Sequence, residues 1–115
     1  MIRYEISSNF ISIYLKSENY MYLVDRTFAD MTKITPELTD KHKNYLEGEY
    51  KSNNLLFGGR KVPRTGGILI SQHASKRELE QVLNSDPFIK SGAVTYSITE
   101  FIPLMASKAY QGIVA

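Results

Sequence analysis

The stretch from Leu55 to Phe88, LLFGGRKVPRTGGILISQHASKRELEQVLNSDPF, constrains the fold most. It reads as a strand, a basic glycine-bounded loop, a second strand, a turn, and a capped helix that stops at Asp86-Pro87-Phe88. Ser75 can accept from an early helical N–H, and Glu78 three residues later can reach back, which is a capping box. Leu79, Val82 and Leu83 then recur at helical spacing and form one buried stripe. Pro87 disfavours helical dihedrals at Asp86, so the helix ends there or just before. Asp86 lies three residues beyond Leu83, at the end of that stripe rather than on the wet face. A carboxylate in that position needs a partner, because an unpaired charge out of water is costly.

Earlier in the chain, Tyr20 to Phe28 reads as a core strand with apolar side chains on both alternating faces, as expected when both faces are covered. Pro36 to Ser52 reads as a helix capped by Thr35, with Pro36 at its first position. Its inward stripe is Leu38, His42, Tyr45 and Leu46. Leu55 to Gly58 and Gly67 to Gln72 are short strands around the loop Gly59 to Gly66, and Ala93 to Phe101 is an alternating strand. The order is β-α-β-β-α-β, a ferredoxin-like α+β sandwich whose two crossovers put both helices on one sheet face. The other face carries apolar side chains and calls for a cover, which predicts a homodimer packed sheet on sheet. Residues 20–102 form this domain. Residues 1–19 are an N-terminal extension, in which Phe10 to Leu15 has strand composition and reads as an added edge strand, an arm on a partner subunit or a disordered extension, and residues 103–115 are a C-terminal tail.

The composition narrows the function. A net charge of +2 is too small to argue for a nucleic-acid partner. The chain has no cysteine, which excludes disulfides and thiolate metal sites and fits a reducing compartment. No apolar run approaches the ~20 residues of a membrane helix, and Phe10 to Leu15 lacks the flanks of a secretory signal. These features point to a cytoplasmic protein without a membrane partner. Phosphate-loop, His-Glu-x-x-His and Gly-x-Ser-x-Gly patterns are all absent, and no metal or cofactor is expected.

His42-x-x-Tyr45-Leu46, Leu55-Leu56-Phe57-Gly58-Gly59, Pro63-Arg64-Thr65-Gly66-Gly67-Ile68, Asp86-Pro87-Phe88 and Gly92 follow in an order and spacing that together are fairly specific. They resemble the YciI-like (YCII-related domain) family over about residues 21–102. One departure is Gly59-Arg60, where many members have Gly-Pro. The resemblance implies a dimeric α+β barrel and a His–Asp active-site pair, which falls on His42 and Asp86 here. It also implies relatives in a wider superfamily of isomerases, lyases and cofactor-free oxygenases that act on small, often aromatic molecules.

The residues converge on the same pair, since both lie on helix stripes that face one sheet. An aspartate that accepts from one imidazole nitrogen fixes the tautomer and leaves the other nitrogen to act as a base. The competing reading is a structural bond tying two helices together. Arg64 is the candidate anion contact in the loop that also holds Arg60 and Lys61, with the N–H groups of Gly66 and Gly67 assisting. Tyr45 either lines the pocket with its hydroxyl or sits in the core. His73 precedes a helix cap and is expected on the surface. The function these features support is proton-transfer chemistry, elimination or isomerisation, on a small acidic or phenolic compound. The alternative is a non-catalytic dimeric domain that binds a small molecule or supports a partner.

The strand and helix pattern is complete from residue 20 onward, so a chain beginning at Met21 is expected to keep cooperative thermal unfolding. Loss of the cooperative transition would place the Phe10–Leu15 segment in the core.

Overall fold

The computed structural model describes residues 19–114; the expected strand at Phe10–Leu15 lies outside the described residues. Four strands form one sheet: β1 (Met21–Phe28), β2 (Leu55–Arg60), β3 (Gly66–Ser71) and β4 (Val94–Phe101). Its order is β2-β3-β1-β4, with every neighbouring pair antiparallel. The helices are α1 (Pro36–Lys51), α2 (Lys76–Asn84) and a single turn, α3 (Pro87–Lys90). This is the expected α+β ferredoxin-like arrangement.

Local chemistry sets the helix ends. Thr35 Oγ1 accepts from the Leu38 N–H at 3.1 Å, and Pro36 follows where its missing N–H costs nothing. Ser75 Oγ accepts from the Glu78 N–H, also at 3.1 Å. α2 ends at Asn84, but Pro87 does more than stop it. With Asp86 as N-cap, Pro87 opens α3, so the segment expected as a plain terminator is a helix–helix corner. The loop is also shorter than expected: β2 continues through Gly59 and Arg60, with Arg60 paired to Gly67.

Alternation along β1 sends Tyr22, Val24 and Arg26 to one face, and all three are buried. Tyr22 and Val24 join Leu55, Leu69, Leu79 and Leu83 in the main core, against which Leu46 and Tyr50 of α1 also pack. Both helices therefore cover the same face. A second cluster, Phe88, Ala93 and Val94, closes the end near Phe28, Ile34 and Leu38. The opposite face carries Leu23 and Ile70, with Phe57 and Phe101 at 57% and 38% exposure. The tail runs back beside the start of β1, where Asn19 Nδ2 donates to the Ile113 carbonyl at 3.5 Å.

His73 is a correction. Expected on the surface, it is 2% exposed. Ser71 holds it at the end of β3: Ser71 Oγ contacts its Nδ1 at 2.6 Å and accepts from its backbone N–H at 3.1 Å. Its Nε2 is 3.8 Å from Glu49, too far for a hydrogen bond, and has no partner among the described residues.

Gly66 marks the closest approach of β3 to β1, because a Cβ there would collide with the Arg26 carbonyl. Gly66→Ala is expected to cost about 1–3 kcal/mol, the usual size of overpacking, read as a lowered denaturant midpoint. An unchanged midpoint would show that the β1–β3 spacing relaxes freely.

Candidate active site

The site begins with a charge placed where the pattern calls for an apolar residue. Arg26 follows Tyr22 and Val24 on the helix-facing side of β1 and is 6% exposed. Its Nη2 donates to Asp86 Oδ2 at 2.7 Å. Burial lowers the guanidinium's proton affinity, and the Asp86 charge opposes that effect. Arginine stays protonated regardless, so the contact is an ion pair.

Asp86 is 1% exposed and accepts from three directions. Besides Arg26, His42 Nδ1 lies 2.9 Å from both carboxylate oxygens, and the Phe88 N–H donates to Oδ1 at 2.8 Å. The last bond is the α3 N-cap. The Phe88 ring then stacks on the His42 imidazole, with centroids 4.0 Å apart and planes 12° from parallel. Asp86 and Phe88 thus hold the imidazole by one nitrogen and one face. If Nδ1 carries the proton that Asp86 accepts, Nε2 is the free lone pair.

His42 opens onto a cavity of about 360 Å³ between α1 and the sheet. Thr39, His42, Leu46 and Tyr50 line it from α1, and Arg26 and Phe28 line it from β1. Its far wall comes from Gly58 to Arg60 on β2, Arg64 in the loop, and Gly66 to Leu69 on β3. Phe88 and Val94 close one end. Gly58 has no room for a side chain, since a Cβ there would meet Leu69 and the Tyr50 hydroxyl. No α1 residue is fully buried, because the cavity occupies the space a packed side chain would fill.

The residues expected from sequence divide as follows. His42 and Asp86 are brought into contact. Arg64 and Gly66 line the cavity, although Gly66 is required as glycine by the close strand approach described above. Tyr45 is not in the lining: its hydroxyl donates to the Val82 carbonyl of α2 and ties the two helices together. The sequence reading missed Arg26 and Tyr50. A charged residue in register with Tyr22 and Val24 was a signal for the first, and the His42, Leu46, Tyr50 spacing of four was a signal for the second.

Burial raises the Tyr45 hydroxyl above its ordinary value, with Glu49 and Asp86 adding to the shift and Arg26 opposing it. Burial raises Tyr50 too. A group raised on folding contributes stability that is present below its unfolded value and lost as pH rises through the folded one. Stability is therefore expected to fall above about pH 10, the unperturbed tyrosine value, and Tyr45→Phe with Tyr50→Phe should flatten that alkaline limb. An identical limb in the double variant, measured by denaturant titration, would contradict this.

The fold has counterparts. A solved structure of 5-chloro-2-hydroxyhydroquinone dehydrochlorinase (TftG) from Burkholderia phenoliruptrix AC1100, in complex with 2,5-dihydroxybenzoquinone, superposes with a TM-score of 0.58 at 21% identity, covering 69% of this chain and 90% of that one. A conserved protein from Methanosarcina mazei Go1 gives a TM-score of 0.47 at 16% identity, covering 76% and 96%. No curated protein sequence matches. Among the described residues, no helix is long and apolar enough to cross a membrane. The family model of the YCII-related domain matches residues 19–102. The chain belongs to the YCII-related domain family.

Proposed function

We propose that the protein is a cofactor-free enzyme that moves a proton on a small acidic or phenolic compound, in an elimination or isomerisation. His42 is the general base through Nε2, Asp86 orients it through Nδ1, and Arg64 contacts the anionic end of the compound. The observation that carries this reading is a His–Asp contact of 2.9 Å whose histidine lines a cavity of about 360 Å³. A purely structural pair would be expected to be sealed in the core. The size of the cavity and its Phe28, Ile34 and Phe88 walls suit a single ring. The dehydrochlorinase that shares the fold acts on a chlorinated hydroxyhydroquinone, a compound of that class.

The working unit in this proposal is a cytoplasmic homodimer packed through the open sheet face, which covers Leu23, Phe57 and Ile70. The cavity by itself also supports the second reading, a dimeric domain that binds a small molecule without transforming it.

Asp86 is a poor position for the test. Asp86→Asn leaves the buried Arg26 charge unpaired, which by itself costs about 3–5 kcal/mol, so lost activity and lost structure would coincide. His42→Gln is cleaner, because the amide still donates to Asp86 but cannot take a proton. A panel of hydroxylated quinones and hydroquinones, including 5-chloro-2-hydroxyhydroquinone, is incubated in deuterated water and followed by proton NMR and chloride release. Turnover of at least one member is expected. It should fall by roughly a hundredfold or more in His42→Gln, the scale of general base catalysis, with 2,5-dihydroxybenzoquinone binding and the thermal midpoint retained. Binding without turnover would favour the non-catalytic reading, and equal rates in His42→Gln would remove His42 as the base.

A further inference from the structure

We propose that the cavity contains an oxyanion subsite, formed by the Arg26 guanidinium and the Tyr50 hydroxyl, that takes the oxygen of an enolisable carbonyl or a phenol. The inference rests on the reading of His42 as a base and adds where the displaced charge goes.

Arg26 is more than nine-tenths buried, yet it makes a single side-chain hydrogen bond among the described residues, from Nη2 to Asp86. Its Nε–H is buried and has no partner among the described residues. Unused donors on a buried cation are uncommon, because each carries a desolvation cost that nothing in the fold returns. The side chain lines the cavity, so its remaining donor capacity lies at the edge of a space that can hold a ligand.

Tyr50 reaches the same cavity from α1. Burial keeps it in the phenol form, with the Arg26 charge opposing, so it presents a proton to an acceptor. Gly58 makes room for the Tyr50 hydroxyl against the sheet, since a Cβ there would come within 2.8 Å of the Tyr50 oxygen. Gly67, paired with Arg26 across β1 and β3, sets no side chain over the guanidinium. His42 and Tyr50 are eight residues apart on one helix face, about 12 Å along the axis. Both side chains line the cavity, so a ring held there has the His42 imidazole and the Tyr50 hydroxyl on its walls.

The step is an enolisation. The substrate C–H bond breaks and its proton goes to His42 Nε2. The electron pair of that bond forms a C=C bond, and the carbonyl π pair moves onto oxygen. The enolate oxygen receives hydrogen bonds from Tyr50 and Arg26, neither of which gives up its proton. Donors placed in advance where negative charge develops are the arrangement that lowers such a barrier most.

The test uses 4-nitrophenol with the full chain. This probe has no proton for His42 to abstract from carbon, and its phenolate absorbs in the visible. At a pH where the free compound is mostly phenol, the bound compound is expected to be phenolate. Tyr50→Phe and Arg26→Lys should each weaken phenolate binding roughly tenfold or more, the worth of a hydrogen bond to a charged group. Each should also move the bound spectrum toward phenol, whereas Tyr96→Phe, whose hydroxyl donates to Asn84 outside the cavity, should change neither. Arg26→Lys keeps a cation for Asp86, and if it unfolds, Tyr50→Phe decides alone. Binding as neutral phenol, no binding at millimolar concentration, or a wild-type spectrum in Tyr50→Phe would each overturn the subsite. A phenolate preference without proton exchange on the substrate panel would leave the subsite standing and remove the catalytic reading. Exchange without that preference would do the reverse.

Discussion

One buried carboxylate holds this molecule's parts in register. Asp86 is 1% exposed and bonded to a strand, a helix and the first turn of another. A lone carboxylate in that position would cost several kcal/mol in lost hydration. Here the Arg26 guanidinium supplies the counter-charge and the Phe88 N–H fills a remaining lone pair. The three bonds also fix geometry. They set the distance of α1 from β1, the corner between α2 and α3, and the plane of the His42 ring. Disturbing any partner leaves a buried charge or donor unmet, so the fold's stability and the site's geometry rest on the same contacts.

A second constraint is the absence of side chains at Gly58 and Gly67, which lets Tyr50 and the β2 backbone pack closely at the cavity wall. Away from the cavity the sheet meets helices through Val24, Leu79 and Leu83 of the main core. One step along the strands the glycines begin, and α1 spans open space instead. A site placed there borrows its precision from strands and helices rather than from loops, which is what positioning a proton acceptor requires.

Much of this was legible in local chemistry. Thr35-Pro36 and Ser75-x-x-Glu78 mark helix starts because capping depends on neighbours in sequence. The two-faced apolar run of β1 and the alternation of β4 marked strands, and the stripe positions of His42 and Asp86 brought them to one face. What escaped the sequence were contacts between elements. Arg26 looked like a strand-end charge, because nothing local says that its partner lies sixty residues away. His73 looked solvated because the partner that buries it, Ser71, is polar and sits at the end of a strand. Tyr45 and Tyr50 both lie on the inward side of α1, yet one meets the Val82 carbonyl and the other the cavity. That difference depends on α2 packing over one and glycines lying under the other.

The central claim is that Asp86 fixes His42 in one tautomer, with Nδ1 protonated and Nε2 presented to the cavity. Nitrogen-15 NMR of the imidazoles reads this directly, and the His42→Gln spectrum separates the His42 signals from those of His73. At a pH where the ring is uncharged, the account predicts a protonated Nδ1 and an Nε2 shift characteristic of a bare lone pair. A protonated Nε2, or averaged shifts from two exchanging tautomers, would contradict it.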